Sequence, residues 1–459
     1  MRHIDAELNI FNGLSPQERL KYYLAITQIL NLYIPPNFFG ALSGYYSLNE
    51  LKKKWQIENT ASKLKPEAAV YIHIPFCAGR RCTFCMYSST TTYTSSIIAE
   101  YIKRIRLEYD FWREMMPERL NSLYVGGGTP SVLSPNEMRE AFSLFSKFDF
   151  DLYSERTCEL SPATATFDQL TTLRELGFTK VSFGIQSFTN AVLNSVNRDN
   201  VPFNRIKKLI RYAKLVGFLD INVDLLLGLP FQSQRTVIAD LKKICVTDSL
   251  SVTIYAYRNI HNQSLSEETK RKKKIREILK SVYAFFEEHG WRHEAGSLDT
   301  EYNCFASPLR LQTLKPHITS YDGFRNYRLW GIGSQAIGFS PSLSYCCKSF
   351  SPYFSTSEKR YKIFEYSKKQ QMQIAVCTML YSWKLKIKNQ YFIDAFGKTI
   401  EQIFPEELDC LCKLHKIKKM PYGFDIIADS PLEAAAIQKF FLDQNYLSSL
   451  VINRLSKKA

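Results

Sequence analysis

Short apolar runs alternate with amphipathic segments through the middle of the chain. Runs rich in β-branched and aromatic residues predict buried strands at 69–74, 122–126, 155–160, 180–184, 221–226 and 251–256. The helical spacing of apolar residues between them predicts helices at Ile97–Glu114, Phe167–Leu176, Phe203–Leu215 and Gln234–Cys245. Repeated strand–helix units predict an α/β fold with a parallel sheet, which right-handed crossovers would curl into a partial six-stranded barrel.

The flanking segments follow other patterns and divide the chain into four predicted regions: a helical lead-in over 1–65, the barrel over 66–260, a barrel extension over 261–354 and a small mixed domain over 355–459. In the lead-in, Ser15 and Glu18 form a capping-box pattern before a helix over 20–32. The extension begins with a helix at 264–289. In the last region the predicted elements are helices at 356–382, 391–398 and 401–412, a strand at Phe424 and a final helix from Ser430.

Three cysteines follow the first predicted barrel strand. Cys77, Cys82 and Cys85 lie within nine residues, and no further cysteine occurs in the next fifty. Structural zinc and most iron–sulfur clusters have four protein ligands, so three thiolates suggest a [4Fe–4S] cluster with one iron open to a small molecule. A partial zinc site with a distant fourth ligand and a group of packed free cysteines are the alternatives.

The residues around these cysteines resemble the cluster motif of radical S-adenosylmethionine (SAM) enzymes, in the branch related to oxygen-independent coproporphyrinogen III oxidase. The resemblance starts at Tyr71-Ile-His-Ile-Pro-Phe-Cys77 and includes Cys82 and Cys85. The further matching motifs, in the same order, are Gly126-Gly-Gly-Thr-Pro130, Glu159 within 158–162, Ser182-Phe-Gly-Ile-Gln186, Val196-Asn-Arg198, Asn222-Val-Asp224 within 222–230 and, more weakly, Trp330-Gly-Ile-Gly-Ser-Gln-Ala336. The resemblance implies a partial (β/α)6 barrel followed by a winged-helix-like C-terminal domain.

The resemblance also implies a role for each of these residues. Cys77, Cys82 and Cys85 would hold a [4Fe–4S] cluster. The residues implied to contact SAM are Gly127, Gly128 and Thr129 at its methionine moiety, Arg198 at its carboxylate, and Glu159, Gln186 and Asp224 at its ribose and amino acid. Tyr71 would place its ring against the sulfonium or serve strand packing, and Phe84 with Met86 would shield the cluster and the adenine. The three glycines would let backbone amides approach the ligand.

The chain departs from the family's pattern at two positions. Four residues separate Cys77 from Cys82 where the family has three, and we expect Gly79 to absorb the extra residue in a bulge. Tyr87 stands where the coproporphyrinogen enzyme has another cysteine, two residues past the third. The second departure argues against porphyrinogen oxidation.

Composition adds expectations about partners and location. The 459 residues carry a formal net charge of +16, which admits nucleic acid or an anionic substrate as partner. The densest basic run, Lys270–Arg276, opens an amphipathic helix, which favours a solvated helix face, and we expect no nucleic acid. The first residues lack the apolar core of a signal peptide, and no apolar stretch reaches the ~20 residues of a spanning helix. We therefore expect a cytoplasmic monomer without a membrane partner.

The resemblance leaves several functions open. The leading hypothesis is an enzyme that cleaves SAM to a 5′-deoxyadenosyl radical and acts on a small-molecule substrate, with an electron donor such as flavodoxin or ferredoxin. Relatives of this branch include oxidases, and methyltransferases or cyclopropanases that bind a second SAM. A haem chaperone without SAM turnover is the non-enzyme alternative, and a nucleic-acid modifier is a third. No catalytic residue beyond the cofactor contacts can be identified from the sequence.

Overall fold

The computed structural model describes residues 14–30, 41–61, 67–87, 89–257, 265–296, 298, 302–315, 327–347, 360–381, 386–442 and 447. The strands are β1 Ala41–Tyr46, β2 Glu67–Ile74, β3 Arg119–Leu120, β4 Ser122–Gly127, β5 Asp149–Phe150, β6 Arg156–Leu160, β7 Lys180–Gln186, β8 Asp220–Leu227, β9 Ser251–Ala256, β10 Arg292–Gly296, β11 Tyr302–Ala306, β12 Tyr327–Ile332, β13 Ile337–Phe339, β14 Leu343–Cys347, β15 Tyr361–Glu365, β16 Lys386–Lys388, β17 Ile417–Met420 and β18 Gly423–Ile426. The helices are α1 Pro16–Leu30, α2 Leu48–Ala61, α3 Ser95–Arg113, α4 Pro135–Phe142, α5 Phe167–Glu175, α6 Asn190–Asn194, α7 Phe203–Leu215, α8 Gln234–Cys245, α9 Leu265–Glu288, α10 Lys368–Tyr381, α11 Asn389–Phe396, α12 Ile400–Ile403, α13 Pro405–Lys413 and α14 Pro431–Gln438.

The six predicted barrel strands are confirmed. They are β2, β4, β6, β7, β8 and β9, which lie side by side in that order, all parallel, within a larger sheet of thirteen strands. Strand β12 continues the parallel pairing outside β2, and antiparallel strands complete both ends of the sheet. The fold is therefore α/β with a partial (β/α)6 barrel, as the sequence predicts.

Strand β2 shows why the alternation of its residues matters. Val70, Ile72 and Ile74 are fully buried in the main hydrophobic core, which they share with residues of helix α3 such as Ile102. The residues in between, including Tyr71, belong to the opposite face of the strand. Because the barrel strands are parallel, their C-terminal ends meet at one edge, and we call this edge the mouth.

The opposite end of the barrel is closed by buried charges at the strand starts. Lys180 opens β7 and lies 3.4 Å from Asp220, which opens β8, and 3.7 Å from Glu155. Arg310 reaches the same aspartate at 3.9 Å and pairs with Glu294 at 2.7 Å. Charged groups at the N-terminal face of such barrels serve stability, so the functional site is sought at the mouth.

Both flanking regions contain strands that the sequence reading missed. The capping box of Ser15 and Glu18 is confirmed, and helix α1 follows it. However, β1 lies within the expected helical lead-in and pairs with β15. Strand β15 in turn occupies part of the segment expected to be a helix from 356, because Tyr361 and Ile363 alternate into the core. Parts of the predicted helical lead-in and the start of the barrel region, at 1–13, 31–40 and 62–66, lie outside the described residues. The same holds for 351–359, which include the end of the predicted extension and the start of the helix predicted from 356.

The C-terminal region has its own small sheet and core. Strands β16, β18 and β17 form an antiparallel sheet in that order. Helices α10 to α14 pack around a second hydrophobic core that includes Phe392, Leu411 and Ile437, and α1 contributes Tyr23 to it. A mixed C-terminal domain is thus present, and its likeness to a winged helix stays a prediction. Among the helices in the described part of the chain, none is long and apolar enough to cross a membrane.

Candidate active site

The cysteine loop is fixed at both of its sides. At its base Phe76 pairs with Thr90, and the Cys77 amide donates to the Thr90 carbonyl at 2.9 Å. Farther along, the Thr83 amide donates to the carbonyl of Val196 at 3.1 Å. The loop therefore leaves β2 at the mouth and reaches across to the turn that follows α6.

Two cysteines of the loop contact other parts of the mouth. Thr129 donates its hydroxyl hydrogen to Cys77 Sγ over 3.6 Å, and Arg198 approaches Cys82 Sγ with one guanidinium nitrogen at 3.9 Å. Burial raises the pKa of the Cys85 thiol, and the neighbouring Cys77 and Cys82 raise it further. The three thiols are therefore close enough to influence one another electrostatically.

The arrangement of the three thiols bears on the kind of metal group that they could hold. Across the residues that the structure describes, no three His, Cys, Asp or Glu side chains are grouped as ligands of one metal ion. In a [4Fe–4S] cluster each thiolate binds a separate iron, so the sulfurs surround the cluster and do not converge on a point. The four-residue gap is spanned with Gly79 at a φ of +71°, the left-handed conformation expected for the extra residue.

The glycines at the end of β4 pack closely against neighbouring residues. A Cβ on Gly127 would lie 2.6 Å from the His73 ring, and one on Gly126 would lie 2.7 Å from Glu159 Oε2. The amides of Gly128 and Thr129 donate to the carbonyls of Ile74 and Phe76, each at 2.7 Å. These two amides have protein acceptors, and the expected contact of Gly127, Gly128 and Thr129 with SAM stays a prediction. The polar group that the turn brings to the cysteines is the Thr129 hydroxyl.

Glu159 ends β6 beside two tyrosines. Tyr124 donates a hydrogen bond to Glu159 Oε1 at 2.6 Å. Burial raises the pKa of Glu159 to about 7; the Tyr124 bond opposes this rise, and the charge of Asp224 adds to it. Tyr71 lies next to Tyr124, with ring centroids 6.3 Å apart, and its hydroxyl is 2.9 Å from His73 Nδ1. Tyr71 is therefore part of the same polar wall, where ring and hydroxyl both have partners.

Asp224 on β8 is held by two donors that the sequence reading did not assign. Ser182 Oγ and Asn222 Nδ2 donate to its two carboxylate oxygens, each at 2.7 Å. Asn222 in turn accepts from Thr253 at 3.0 Å, which ties three strands together. Burial raises the pKa of Asp224 to about 6, against the effect of these donors. The spacing of Asn222 and Asp224 by two residues was the available signal, since it places both on one face of a strand.

Arg198 and Gln186 lie where β7 meets the cysteine loop. Arg198 donates to the carbonyl of Gly184 while its other terminal nitrogen faces Cys82. Gln186 has a φ of +70°, and the strand register shifts between Gly184 and Gln186. A guanidinium has five N–H groups, so its two contacts do not exhaust its capacity to bind a carboxylate.

The apolar side chains of the mouth divide into packed and exposed ones. Phe84 packs against a small cluster at the ends of α6 and β8 that contains Val192 and Leu226. Met86 and Tyr87 are 54% and 57% exposed. Tyr255, which ends the sixth barrel strand, is 42% exposed, although it follows Ser251 and Thr253 on the face that bonds to Asn222. The sequence reading missed Tyr255, since no motif marks it.

The comparisons with known proteins agree with this geometry. Residues 71–244 match the model of the radical SAM superfamily, so this part of the chain is a radical SAM domain. Coproporphyrinogen III oxidase, anaerobic 1, from Cereibacter sphaeroides is 30% identical over 210 residues, which cover 44% of this chain and 46% of that protein. The chain thus matches about half the length of this relative.

Two further relatives match more of the chain. The heme chaperone HemW of Lactococcus lactis is 25% identical over 358 residues, which cover 75% of this chain and 89% of that protein. The structure of coproporphyrinogen III oxidase (HemN) from Escherichia coli superposes with a TM-score of 0.66 at 20% identity and covers 84% of this chain and 93% of that chain. At this identity the superposition shows that the fold is shared. The chain therefore carries a radical SAM domain on a fold of the HemN type.

Proposed function

We propose that this chain binds a [4Fe–4S] cluster through Cys77, Cys82 and Cys85, binds SAM beside it, and acts on a small-molecule substrate. The observation that supports the proposal is that Thr129 and Arg198 each contact one of the three thiols. When bound and reduced, the cluster would supply the electron that cleaves SAM to methionine and a 5′-deoxyadenosyl radical, which removes a hydrogen atom from the substrate.

The protein's own residues bind and orient in this proposal. Arg198 offers a guanidinium to a planar carboxylate, for which its fork geometry is suited. Glu159 and Asp224 accept hydrogen bonds from ligand hydroxyl or ammonium groups, with Gln186 beside them on β7. Tyr71, Phe84, Gly127 and Gly128 shape the walls. Ser182, Asn222 and Tyr124 fix the two carboxylates before the ligand arrives, since each donates to one of them.

We propose the turn after β12 as the place of a second SAM, because this turn adjoins the mouth. Tyr101 donates its hydroxyl hydrogen to the carbonyl of His73 and accepts from the amide of Ser334, at 2.7 and 2.9 Å. The glycine turn of residues 331–336 therefore lies directly beside the end of β2. A second SAM there would fit a methyltransferase or cyclopropanase. Oxidation of porphyrinogens is less well supported, because Tyr87 stands where the coproporphyrinogen enzyme has a cysteine.

The test is anaerobic reconstitution followed by reduction with dithionite in the presence of SAM. We expect about four irons per chain and the release of 5′-deoxyadenosine and methionine. The variant in which Cys77, Cys82 and Cys85 are all alanine should bind no cluster and release neither product. The control is Cys412→Ala, because Cys412 is exposed on α13 and distant in sequence from the loop. A triple variant that keeps its cluster, or a stoichiometric zinc in place of iron, contradicts the proposal.

A haem chaperone is the second candidate, favoured by the extent of the match to HemW. That match covers three quarters of this chain, and more of it than the oxidase from Cereibacter covers. Stoichiometric haem binding by the reconstituted protein without any 5′-deoxyadenosine would select the chaperone. Product release with flavodoxin or ferredoxin as electron donor would select the enzyme. We propose the cytoplasm as location and the monomer as the working unit in both cases.

A further inference from the structure

Phe231 is an exposed aromatic residue held in an unfavourable backbone conformation. It has a φ of +59°, and its side chain is 78% exposed. A positive φ is rare for a bulky residue because the Cβ crowds the backbone, and glycine or asparagine takes such positions at lower cost. An exposed phenylalanine ring also gains nothing from burial. At this exposure the ring recovers little of either cost by packing against the described residues.

The conformation of Phe231 is imposed by the next residue. The Gln232 side chain is buried, and its Oε1 accepts hydrogen bonds from the amides of Gly228 and Leu229 at 2.8 and 3.3 Å. Its Nε2 donates to the carbonyl of Leu226 at 2.8 Å. These three bonds close the turn that follows β8, so Phe231 is presented outward by a rigid loop. Strain that persists because surrounding bonds over-determine it points to a functional position.

The loop lies at the mouth of the barrel. It follows the C-terminal end of β8, the strand that carries Asp224. Met86, Tyr87 and Tyr255 are further exposed large side chains that follow or lie at the ends of barrel strands at this edge. The rim of the mouth is therefore apolar and largely aromatic, while its wall holds the two carboxylates.

A basic helix segment borders the same loop. Lys274 of α9 donates to the carbonyl of Gln232 at 3.1 Å, and Arg271 donates to the carbonyl of Tyr257, directly after β9. The run Lys270–Arg276, expected from the sequence to be a solvated face, thus meets the rim with part of its charge. An aromatic rim beside cationic side chains complements a ligand that combines a flat conjugated ring with carboxylate substituents.

We propose that Phe231 is a specificity-determining residue that packs against the ring face of a tetrapyrrole at the mouth. The inference rests on the proposed function and adds the residue that selects the ligand. The strained loop presents a ring that a smaller residue could not supply. Phe231 contacts the substrate periphery and takes no part in cofactor binding.

The experiment measures binding of two probes, coproporphyrin III and haemin, by absorbance and fluorescence titration of the reconstituted full-length protein. Phe231→Ala removes the ring and keeps the strain, whereas Phe231→Asn removes the ring and suits the left-handed conformation. Leu215→Ala is the matched control, because Leu215 is 73% exposed at the end of α7, which faces the other end of the barrel. We expect both Phe231 variants to bind at least one probe 5-fold or more weakly, and the control to bind as wild type.

Thermal unfolding separates a folding defect from a loss of contact. We expect Phe231→Asn to unfold at a temperature equal to or above that of wild type although it binds the probe more weakly. Wild-type binding that is unchanged in both variants would overturn the inference and leave the proposed function standing. Failure of the wild type to bind either probe would overturn the inference, whereas failure to bind a cluster or to cleave SAM would overturn the proposed function. An Asn variant less stable than the Ala variant would remove the argument from strain.

Discussion

Tyr124 donates a hydrogen bond to Glu159 across 2.6 Å, between the neighbouring barrel strands β4 and β6. The bond favours the ionised carboxylate, whereas burial and the charge of Asp224 disfavour it. The balance leaves the pKa of Glu159 at about 7. The charge of the mouth therefore changes close to neutral pH.

This balance predicts a pH dependence of ligand binding. If the ionised Glu159 accepts a hydrogen bond from SAM, the affinity for SAM should fall as the pH drops through about 7. Tyr124→Phe removes the donor, so the pKa should rise further and the midpoint should move to higher pH. Calorimetric titrations with SAM between pH 5.5 and 8.5 measure both midpoints, and Tyr212→Phe, at a partly buried tyrosine of α7, serves as control. Equal midpoints in wild type and Tyr124→Phe would show that the bond does not tune the site.

Replacing Glu159 by glutamine should stabilise the fold and weaken SAM binding. Its folded pKa is raised from 4.5 to about 7, so its contribution to stability is full below pH 4.5 and is lost as the pH rises through 7. Glu159→Gln removes the charge and should stabilise the cofactor-free protein at pH 8, by on the order of 2 kcal/mol, with little effect at pH 5. Denaturant unfolding at the two pH values measures this. SAM binding should weaken in the same variant, and a uniform stability change at both pH values would contradict the assignment.

Replacing Asp224 by asparagine should lower the affinity for SAM without changing the iron content. Ser182 and Asn222 both donate to its oxygens, so Asp224→Asn would turn an amide group toward one of these donors. We expect SAM affinity to fall by about 1–3 kcal/mol and the iron content to stay unchanged, since no cysteine contact is lost. Iron analysis and equilibrium dialysis with SAM measure the two quantities. Asp168→Asn, at the exposed start of α5, is the control. Loss of iron together with SAM would place Asp224 in the support of the cluster loop.

The side chain of Arg81 is expected to stabilise the cysteine loop with its longer spacing. Its guanidinium donates to the carbonyls of Tyr87 and Cys85, at 3.0 and 3.5 Å, and so crosses the loop. Arg81→Ala should lose iron to a chelator several-fold faster than wild type. Arg81→Lys should lie in between, because both bonds come from one terminal nitrogen and a lysine keeps the charge and a donor but not the planar guanidinium. Arg80→Ala is the control from the adjacent position. Equal rates of iron loss in all variants would show that the loop does not depend on this contact.

Local sequence patterns were sufficient to predict the strands and helices of the barrel. Helices α7 and α8 have the predicted bounds Phe203–Leu215 and Gln234–Cys245, since their apolar faces are regular and Ser233 caps the second of them. The pairing of β1 with β15 was beyond such patterns. Its partners are more than 300 residues apart, and neither strand belongs to the series of alternating strand and helix patterns that marks the barrel.

The candidate site also contains residues that the sequence could indicate and features that it could not. The cysteines, Thr129 and Asp224 could be found because ordered motifs mark them. Engagement of the glycine-turn amides could not, because it depends on the carbonyls of Ile74 and Phe76 in a neighbouring segment. Tyr255 and Phe231 escaped notice for another reason. What makes them notable is exposure and backbone conformation, which exist only after folding.

The buried Lys439 should make the stability of the C-terminal core depend on pH. It is fully buried just after α14, where its ammonium donates to the carbonyl of Ala435 at 3.1 Å, and burial lowers its pKa to about 7. A lowered lysine pKa contributes stability above the unfolded value of 10.5 and loses it as the pH falls through 7.

Lys439→Met keeps the volume and removes the charge, so it should stabilise this core, and more at pH 6 than at pH 9. We expect a gain of at least about 2 kcal/mol at pH 6, because the variant replaces a buried ammonium that has no carboxylate partner among the described residues by an apolar side chain. Thermal unfolding at both pH values measures the difference, and Lys413→Met on the exposed face of α13 is the control. The cause lies in the surroundings of the ammonium: nearby are Ala435 and Cys377, and neither offers a negative charge at neutral pH. A gain of equal size at both pH values would mean that Lys439 is charged across the whole range.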